Sequence, residues 1–304
     1  MHEVFYWLFN MSITATVAGL LVLLVRSARR IPRRLATILW LIPLARLVLP
    51  FGLGSKYSLM SLLTEISTRT VVVYPPKIND ITLSYMNSVA LADDYFPITY
   101  KYNVLEDVFG IAAAVWATVA TAILLTLAVL YVTTLRETGD AMHFEENIYF
   151  SDKIVSPAVY GIFKPRILLP ASYKSRDVEL IVLHEREHIR HLDNLWRLLA
   201  FAVTAIHWFN PFCWLFLKHF LSDLELSCDE RVLKRIGHDR AREYAGVLLE
   251  SKQGVTLFAS AFGGARIRTR IENILSFKKM TWLSATVFTI FLIAMFYVLL
   301  TNAV

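Results

Sequence analysis

The chain has 304 residues, 56% of them hydrophobic, with 31 Lys and Arg against 25 Asp and Glu for a formal charge of +6. Ordinary soluble domains are roughly 45–50% apolar, so the composition excludes that class and points to a membrane protein. No basic patch with interleaved aromatics accompanies the positive balance, which argues against direct contact with nucleic acid.

Four stretches are long enough to cross a bilayer, at about residues 4–25, 35–53, 108–132 and 280–301. The first lacks a basic leader and a small-residue cleavage site, so it reads as a retained span. Pro43 and Arg46 interrupt the second, and an arginine at that depth is expected to face the bundle interior or an interface. Between the first two spans Arg26, Arg29, Arg30, Arg33 and Arg34 occur without an acid, the signature of a cytoplasmic loop. Alternation from there puts both termini outside. The expected organisation is two spans and their basic loop in 1–53, an extracellular loop in 54–107, a third span in 108–132, a cytoplasmic domain in 133–279 and a fourth span in 280–304. In the outer loop, 67–74 reads as one strand ended by Pro75 and Pro76; a polar run through Tyr95, Tyr100 and Tyr102 follows and reads as loop filler.

Past the third span, 147–154 and 158–169 read as two short strands punctuated by Pro157, Gly161, Pro165 and Pro170. A sheet edge here could take an extended peptide as an added strand, and a purely structural hairpin fits equally well.

His184, Glu185 and His188 then form the pattern H-E-x-x-H. Val178, Ile181, Val182, Leu183, Ile189 and Leu192 recur around it at helical spacing, with Ser175 as N-cap and Asp177 in the first turn. On a helix the two imidazoles stand one turn apart on one face and can share an ion, while Glu185 points about 100° round the axis. That is where a carboxylate can take a proton from water on the metal. A solvated, charged helix end would show the same five residues, and a third ligand downstream separates the two readings. Glu225 supplies it from a second helical stretch, with Asp229 at i+4 placed to hold the free N–H of a ligand histidine. A His-His-Glu set leaves a position for water, as catalytic zinc sites do.

The apolar run 195–220 between these helices is long enough to span, yet crossing would part His184 from Glu225 by roughly the 30 Å of hydrocarbon. The break at Asn210 and Pro211 suggests a hairpin that dips in and returns, with Trp196, Trp208 and Trp214 at the interface and the site at the inner membrane surface. His207 and His219 read as packing residues. Cys213 and Cys228 are the only cysteines and belong to no C-x-x-C pair. Cys228 could reach the metal, although a small buried thiol is the simpler reading.

Four parts of the sequence taken together resemble the BlaR/MecR-type integral-membrane zinc metallopeptidases, the transducers of bacterial beta-lactam resistance. They are 39–50 with Trp40, Pro43, Arg46 and Pro50; 156–170 with Pro157, Gly161, Pro165 and Pro170; 184–193 with His184, Glu185, His188 and Asp193; and 223–229 with Asp223, Glu225 and Asp229. The resemblance implies one Zn2+ on His184, His188 and Glu225, Glu185 as general base, Asp229 and Asp193 behind the ligands, and the proline hairpin as the edge that aligns substrate. For the fold it implies a gluzincin-like minidomain within a membrane bundle; with the spans, strands and hairpin read above, the expected class is a mainly α, multi-spanning membrane protein with four transmembrane helices, a cytoplasmic gluzincin-like zinc protease domain, a small β-sheet and a re-entrant or interfacial helical hairpin. Family transducers carry a penicillin-binding sensor domain after the last span; this sequence ends at Val304, so direct acylation by a beta-lactam is not expected. They cleave themselves before that span and act on a winged-helix repressor. The matching segment here is about 251–279, where Arg266, Arg268 and Arg270 or Leu275, Ser276 and Phe277 are candidate docking or self-cleavage points, and a basic linker lying on anionic lipid is the plainer account.

The expected function is therefore peptide-bond hydrolysis at the cytoplasmic membrane face, with a protein substrate such as a repressor. The oxyanion stabiliser is not identifiable, Tyr160, His191 and Tyr244 being weak candidates. A stand-alone peptidase for small membrane or secreted peptides, and a non-catalytic zinc-binding sensor or scaffold, are the alternatives.

Overall fold

A computed structural model describes residues 2–27, 31–49, 54–59, 61, 102–173, 178–251, 267–277 and 281–301. The expectations for 67–74, Ser175, Asp177, Arg266 and most of 251–279 fall outside these residues. The described chain is mainly helical with one small sheet. Helix α1 is His2–Ser27, α2 Arg33–Leu39, α3 Leu41–Val48 and α4 Tyr102–Glu137. Strands β1 (Met142–Glu145), β2 (Ile148–Ser151), β3 (Ala158–Tyr160) and β4 (Arg166–Pro170) follow, then α5 (Glu179–Arg190), α6 (Asp193–Ile206), α7 (Pro211–Ile236), α8 (Ala241–Ser251), α9 (Ile267–Leu275) and α10 (Trp282–Leu300).

Among the described residues three helices are long and apolar enough to cross a membrane: Val4–Ser27, Val108–Arg136 and Trp282–Leu300. Leu283, Val287, Ile290 and Ile293 of α10 are each more than 60% exposed, an apolar surface that water would not tolerate and lipid would. The stretch expected as the second span is two short helices instead. Pro43 has no N–H to give the Leu39 carbonyl and its ring crowds that carbonyl, so the helix breaks at Trp40. Arg46 faces the interior, fully buried, where its Nε and Nη2 donate to the carbonyls of Leu299 (2.7 Å) and Thr301 (2.6 Å). It thereby satisfies carbonyls at the end of α10 that the helix itself leaves open.

Packing between the apolar helices is close. A Cβ at Gly19 of α1 would run into the Phe216 ring of α7. Between α6 and α7 the chain turns through a buried polar knot, which explains how polar residues survive there. His207 Nδ1 meets Ser12 Oγ at 2.8 Å, its Nε2 lies 3.0 Å from the Leu47 carbonyl, and Asn210 Nδ2 donates to Thr16 Oγ1 at 2.9 Å. Asn210 also caps α7, accepting from the Phe212 N–H, with Pro211 following as the first helical residue. His219 stacks on Trp40. Both histidines are packing residues here.

The sheet order is β1-β2-β4-β3, with β2 parallel to β4 and the other pairs antiparallel. The expected strand 158–169 is two strands, because Gly161 at φ +85° turns the chain and a Cβ there would press on the Lys164 carbonyl. The expected strand 147–154 shortens to β2, and β1 was not foreseen. Helix α5 lies between two cores. Ile181 and Val182 pack under Ile148, Phe150, Ile167 and Leu169 of the sheet, while Leu180 joins Val232, Leu233, Tyr244, Leu248 and Ile274 of α7, α8 and α9.

Candidate metal centre

The amphipathic faces of α5 leave His184 and His188 pointing into the protein, only 5% and 4% exposed, so neither is a surface histidine. Their Nε2 atoms face each other at 3.2 Å. Glu225, on the C-terminal half of α7, brings Oε2 to 3.9 Å from His184 Nε2 and Oε1 to 3.8 Å from His188 Nε2. The chain thus leaves the site along α6 and returns to it along α7, as the hairpin expectation requires.

The outer edge of each ring is held. His188 Nδ1 is 2.7 Å from Asp193 Oδ2, which also accepts from Arg231 Nη2 at 2.8 Å. Leu192 makes this possible by adopting a left-handed backbone, φ +54°, so that α6 starts with Asp193 folded back on α5. Asp229 does not bond His184 directly: it stands 3.6 Å from Nδ1. Tyr244 is interposed, its hydroxyl 2.8 Å from His184 Nδ1 and donating to Asp229 Oδ1 at 2.7 Å. With the hydroxyl proton committed to Asp229, its oxygen is left to accept from His184 Nδ1–H. Both rings are thereby oriented with Nε2 inward.

His184 Nε2 stands 3.2 Å from His188 Nε2 and 3.2 Å from Arg270 Nη2, so a cationic donor already faces this acceptor and a metal ion would take its place. Around a tetrahedral zinc with bonds of roughly 2.0–2.1 Å, donor atoms sit about 3.3 Å from one another. The imidazoles meet that spacing, and the carboxylate oxygens lie a little outside it because guanidiniums draw them outward. Arg197 Nη2 contacts Glu225 Oε1 at 2.5 Å and Arg270 Nη1 contacts Oε2 at 3.1 Å. A second donor set also exists: His184, His188 and Cys228 bring ligand atoms within 4.8 Å of one another. Cys228 Sγ, however, faces the Nδ1 side of His184 at 3.4 Å and donates to the His184 carbonyl. Its thiol is fully buried, and burial raises its pKa, which disfavours the thiolate a metal needs.

The charges at the site divide: burial would lower the His188 pKa, but Cys228 and the bond to Asp193 hold it well above that of free histidine, so this ring must give up a proton to ligate. Burial and then Arg270 hold the His184 pKa well below that of free histidine, so the ring is neutral and able to ligate. Burial alone would raise the Glu225 pKa, but Arg270 and Arg197 bring it well below the usual carboxylate range. Glu185 is buried beside His188 and Glu225, with no hydrogen-bond partner among the described residues, and burial raises its pKa.

Arg197, Arg231 and Arg270 were not anticipated as site residues. Arg197 stands at i+4 from Asp193, a spacing that could have flagged it. Arg270 gave no such signal. Instead of lying on lipid with Arg268, it is 2% exposed and forks onto Asp229, with Nη2 2.6 Å from Oδ1 and Nε 2.8 Å from Oδ2. Alternate residues of a helix face nearly opposite sides, which is why Arg268 is exposed and pairs with Glu272 instead. Of the weak oxyanion candidates, Tyr244 is committed to His184 and Asp229, and His191 turns back to the Glu187 carbonyl at 3.1 Å. Tyr160 lies on edge strand β3. It lines a cavity of about 160 Å³ with Val159, Gly161, Asn194 and Arg197, between β3, α4 and α6. Ser276 and Phe277 are not in the site. They close the last turn of α9, and Phe277 packs on the Leu180–Tyr244 core, so cleavage between them requires that turn to open.

A sequence model described as the BlaR1 peptidase M56 matches residues 6–275. The regulatory protein BlaR1 of Bacillus licheniformis is 28% identical over 170 residues, 49% of this chain and 28% of that protein. The methicillin resistance mecR1 protein of Staphylococcus aureus is 30% identical over 107 residues, 34% of this chain and 18% of that protein. The regulatory protein BlaR1 of Staphylococcus aureus is 27% identical over 144 residues, 43% and 25% of the two chains. The matched segments thus span less than a third of each relative's length.

Proposed function

Since the chain belongs to the BlaR1 peptidase M56 family, we propose that it is a membrane-embedded zinc metalloendopeptidase of gluzincin type. It hydrolyses peptide bonds at the cytoplasmic membrane face. The observation that carries this reading is the meeting of the His184 and His188 Nε2 atoms with both oxygens of Glu225 within 3.9 Å, beside a buried and unpartnered Glu185. His184, His188 and Glu225 would hold one zinc ion, held in turn by Asp193 and the Tyr244–Asp229 pair. When bound, the ion supplies Lewis acidity that makes water nucleophilic near neutral pH. Glu185 takes the proton of the attacking water, and its raised pKa lets it return that proton to the leaving amine. Arg197 and Arg270 fix the Glu225 carboxylate. Strand β3 is one of the two edges of the sheet, with its Val159 carbonyl accepting from Asn194 Nδ2, and a substrate can align along it in extended form.

In this reading α1, the broken α2–α3 pair, α4 and α10 build a four-span bundle, with 54–107 and both termini outside and 133–279 inside. The substrate class is a protein of a signalling pathway, such as a winged-helix repressor, by analogy with relatives named as regulatory and resistance proteins. The 251–279 segment is the candidate for self-cleavage. The test is the Glu185→Gln variant in native-like membranes: zinc stays at wild-type stoichiometry and proteolysis of the natural substrate ceases. Cleavage at the wild-type rate would remove Glu185 from its role.

A further inference from the structure

Away from the metal, α2, the C-terminal end of α5, the start of α6 and α7 enclose a groove of about 570 Å³. Its floor is apolar: Leu35, Ile38, Leu41, Trp196, Phe220 and Leu224. Its rim carries Arg34, Arg231, Lys234 and Arg235 against two carboxylates, Glu187 and Asp193. Both carboxylates are already engaged, Glu187 by Arg235 at 2.7 Å and Asp193 by Arg231 at 2.8 Å. Neither the Arg34 nor the Lys234 side chain forms an ion pair within 4 Å among the described residues, although the Arg34 backbone N–H donates to Glu230 Oε2 at 3.3 Å. Two buried polar atoms on the wall have no hydrogen-bond partner among the described residues: Ser227 Oγ, on a residue 1% exposed, and Arg231 Nε. A buried hydroxyl and guanidinium N–H left open cost roughly 1–3 kcal/mol each unless something completes them.

We infer that this groove binds the phosphate headgroup of an anionic phospholipid, with its acyl chains along the apolar floor. Surplus cations specify an anion, two open donors suit phosphate oxygens, and the floor of aliphatic and aromatic side chains excludes a fully hydrated ion as sole occupant. Arg231 joins the groove to the metal centre. A phosphate on its Nε leaves Nη2 on Asp193, the residue that orients His188, so lipid and metal ligand draw on one guanidinium. The inference rests on the membrane placement proposed above, but not on proteolysis, and lipid binding retained in Glu185→Gln keeps the two apart.

The test is native mass spectrometry of the full chain released from neutral detergent, titrated separately with phosphatidylglycerol, phosphatidylcholine and inorganic phosphate. One phosphatidylglycerol should bind at least tenfold more tightly than phosphatidylcholine, and millimolar inorganic phosphate should not displace it. The double variant Arg34→Gln, Lys234→Gln should lose about tenfold in that affinity. Ser227→Ala, which removes only the hydroxyl, should lose severalfold and guards against a folding defect in the double variant. Equal binding of the two lipids, unchanged affinity in both variants, or displacement by inorganic phosphate would overturn the inference.

Discussion

Asp193 Oδ2 lies 2.7 Å from His188 Nδ1, reaching back across a single left-handed residue. The same oxygen takes the Arg231 guanidinium, so the carboxylate is held in place and its acceptor role toward the ring is fixed. Asp193→Asn should lower zinc affinity by roughly 10–100-fold, the usual cost of losing a carboxylate behind a ligand histidine. Competition with a chromophoric chelator measures it, and wild-type affinity would show that Asp193 does not orient His188.

Leu192 carries the backbone cost of that arrangement. At φ +54° a leucine is strained where glycine is not, and this side chain is 54% exposed, so little burial is lost on removing it. Leu192→Gly should stabilise the fold by about 0.5–1 kcal/mol, seen as a higher midpoint of thermal unfolding in detergent. A lower midpoint would mean that the side chain holds more than the conformation costs.

Tyr244 is fully buried and its hydroxyl bridges His184 to Asp229. Tyr244→Phe keeps the ring in its core and leaves His184 Nδ1–H without its acceptor. The variant should fold, lose roughly 1–3 kcal/mol of stability and bind zinc more weakly. Chelator competition with a parallel unfolding curve separates the two effects; unchanged affinity would place the control of His184 elsewhere.

Arg46 is the buried cation that closes the end of α10 through the Leu299 and Thr301 carbonyls. Replacing it with Leu should leave the Leu299 carbonyl open, while Thr301 keeps the Ser58 hydroxyl, at a cost of roughly 1–3 kcal/mol. Protease accessibility near residue 300 should rise with it. An unchanged unfolding midpoint would show that water or lipid caps the Leu299 carbonyl instead.

Much of this was legible in the residues, for reasons that differ from place to place. The H-E-x-x-H helix and the long apolar helices announce themselves by periodicity and composition, which need no partner to be read. Glu225 could be picked out because one ion must be reachable from both helices, and that condition also demanded the α6–α7 hairpin. The break at Trp40 followed from Pro43, yet an apolar run through it read as one span because composition is blind to a single missing N–H. Gly161 split a strand for a comparable reason: its turn depends on a backbone angle rather than on hydropathy. Tyr244 and Arg270 were hidden because they come from separate elements, α8 and α9, and only tertiary packing carries them to His184 and Asp229. Their burial is a property of the assembled core, not of their neighbours in the chain.

The central claim is that two imidazoles and one carboxylate, rather than a thiolate, share the ion. X-ray absorption at the zinc edge of the full-length protein tests it most directly. The account predicts nitrogen and oxygen ligands only, at roughly 2.0–2.1 Å, with two imidazoles among them. A sulfur ligand at about 2.3 Å would place Cys228 on the metal and contradict the account.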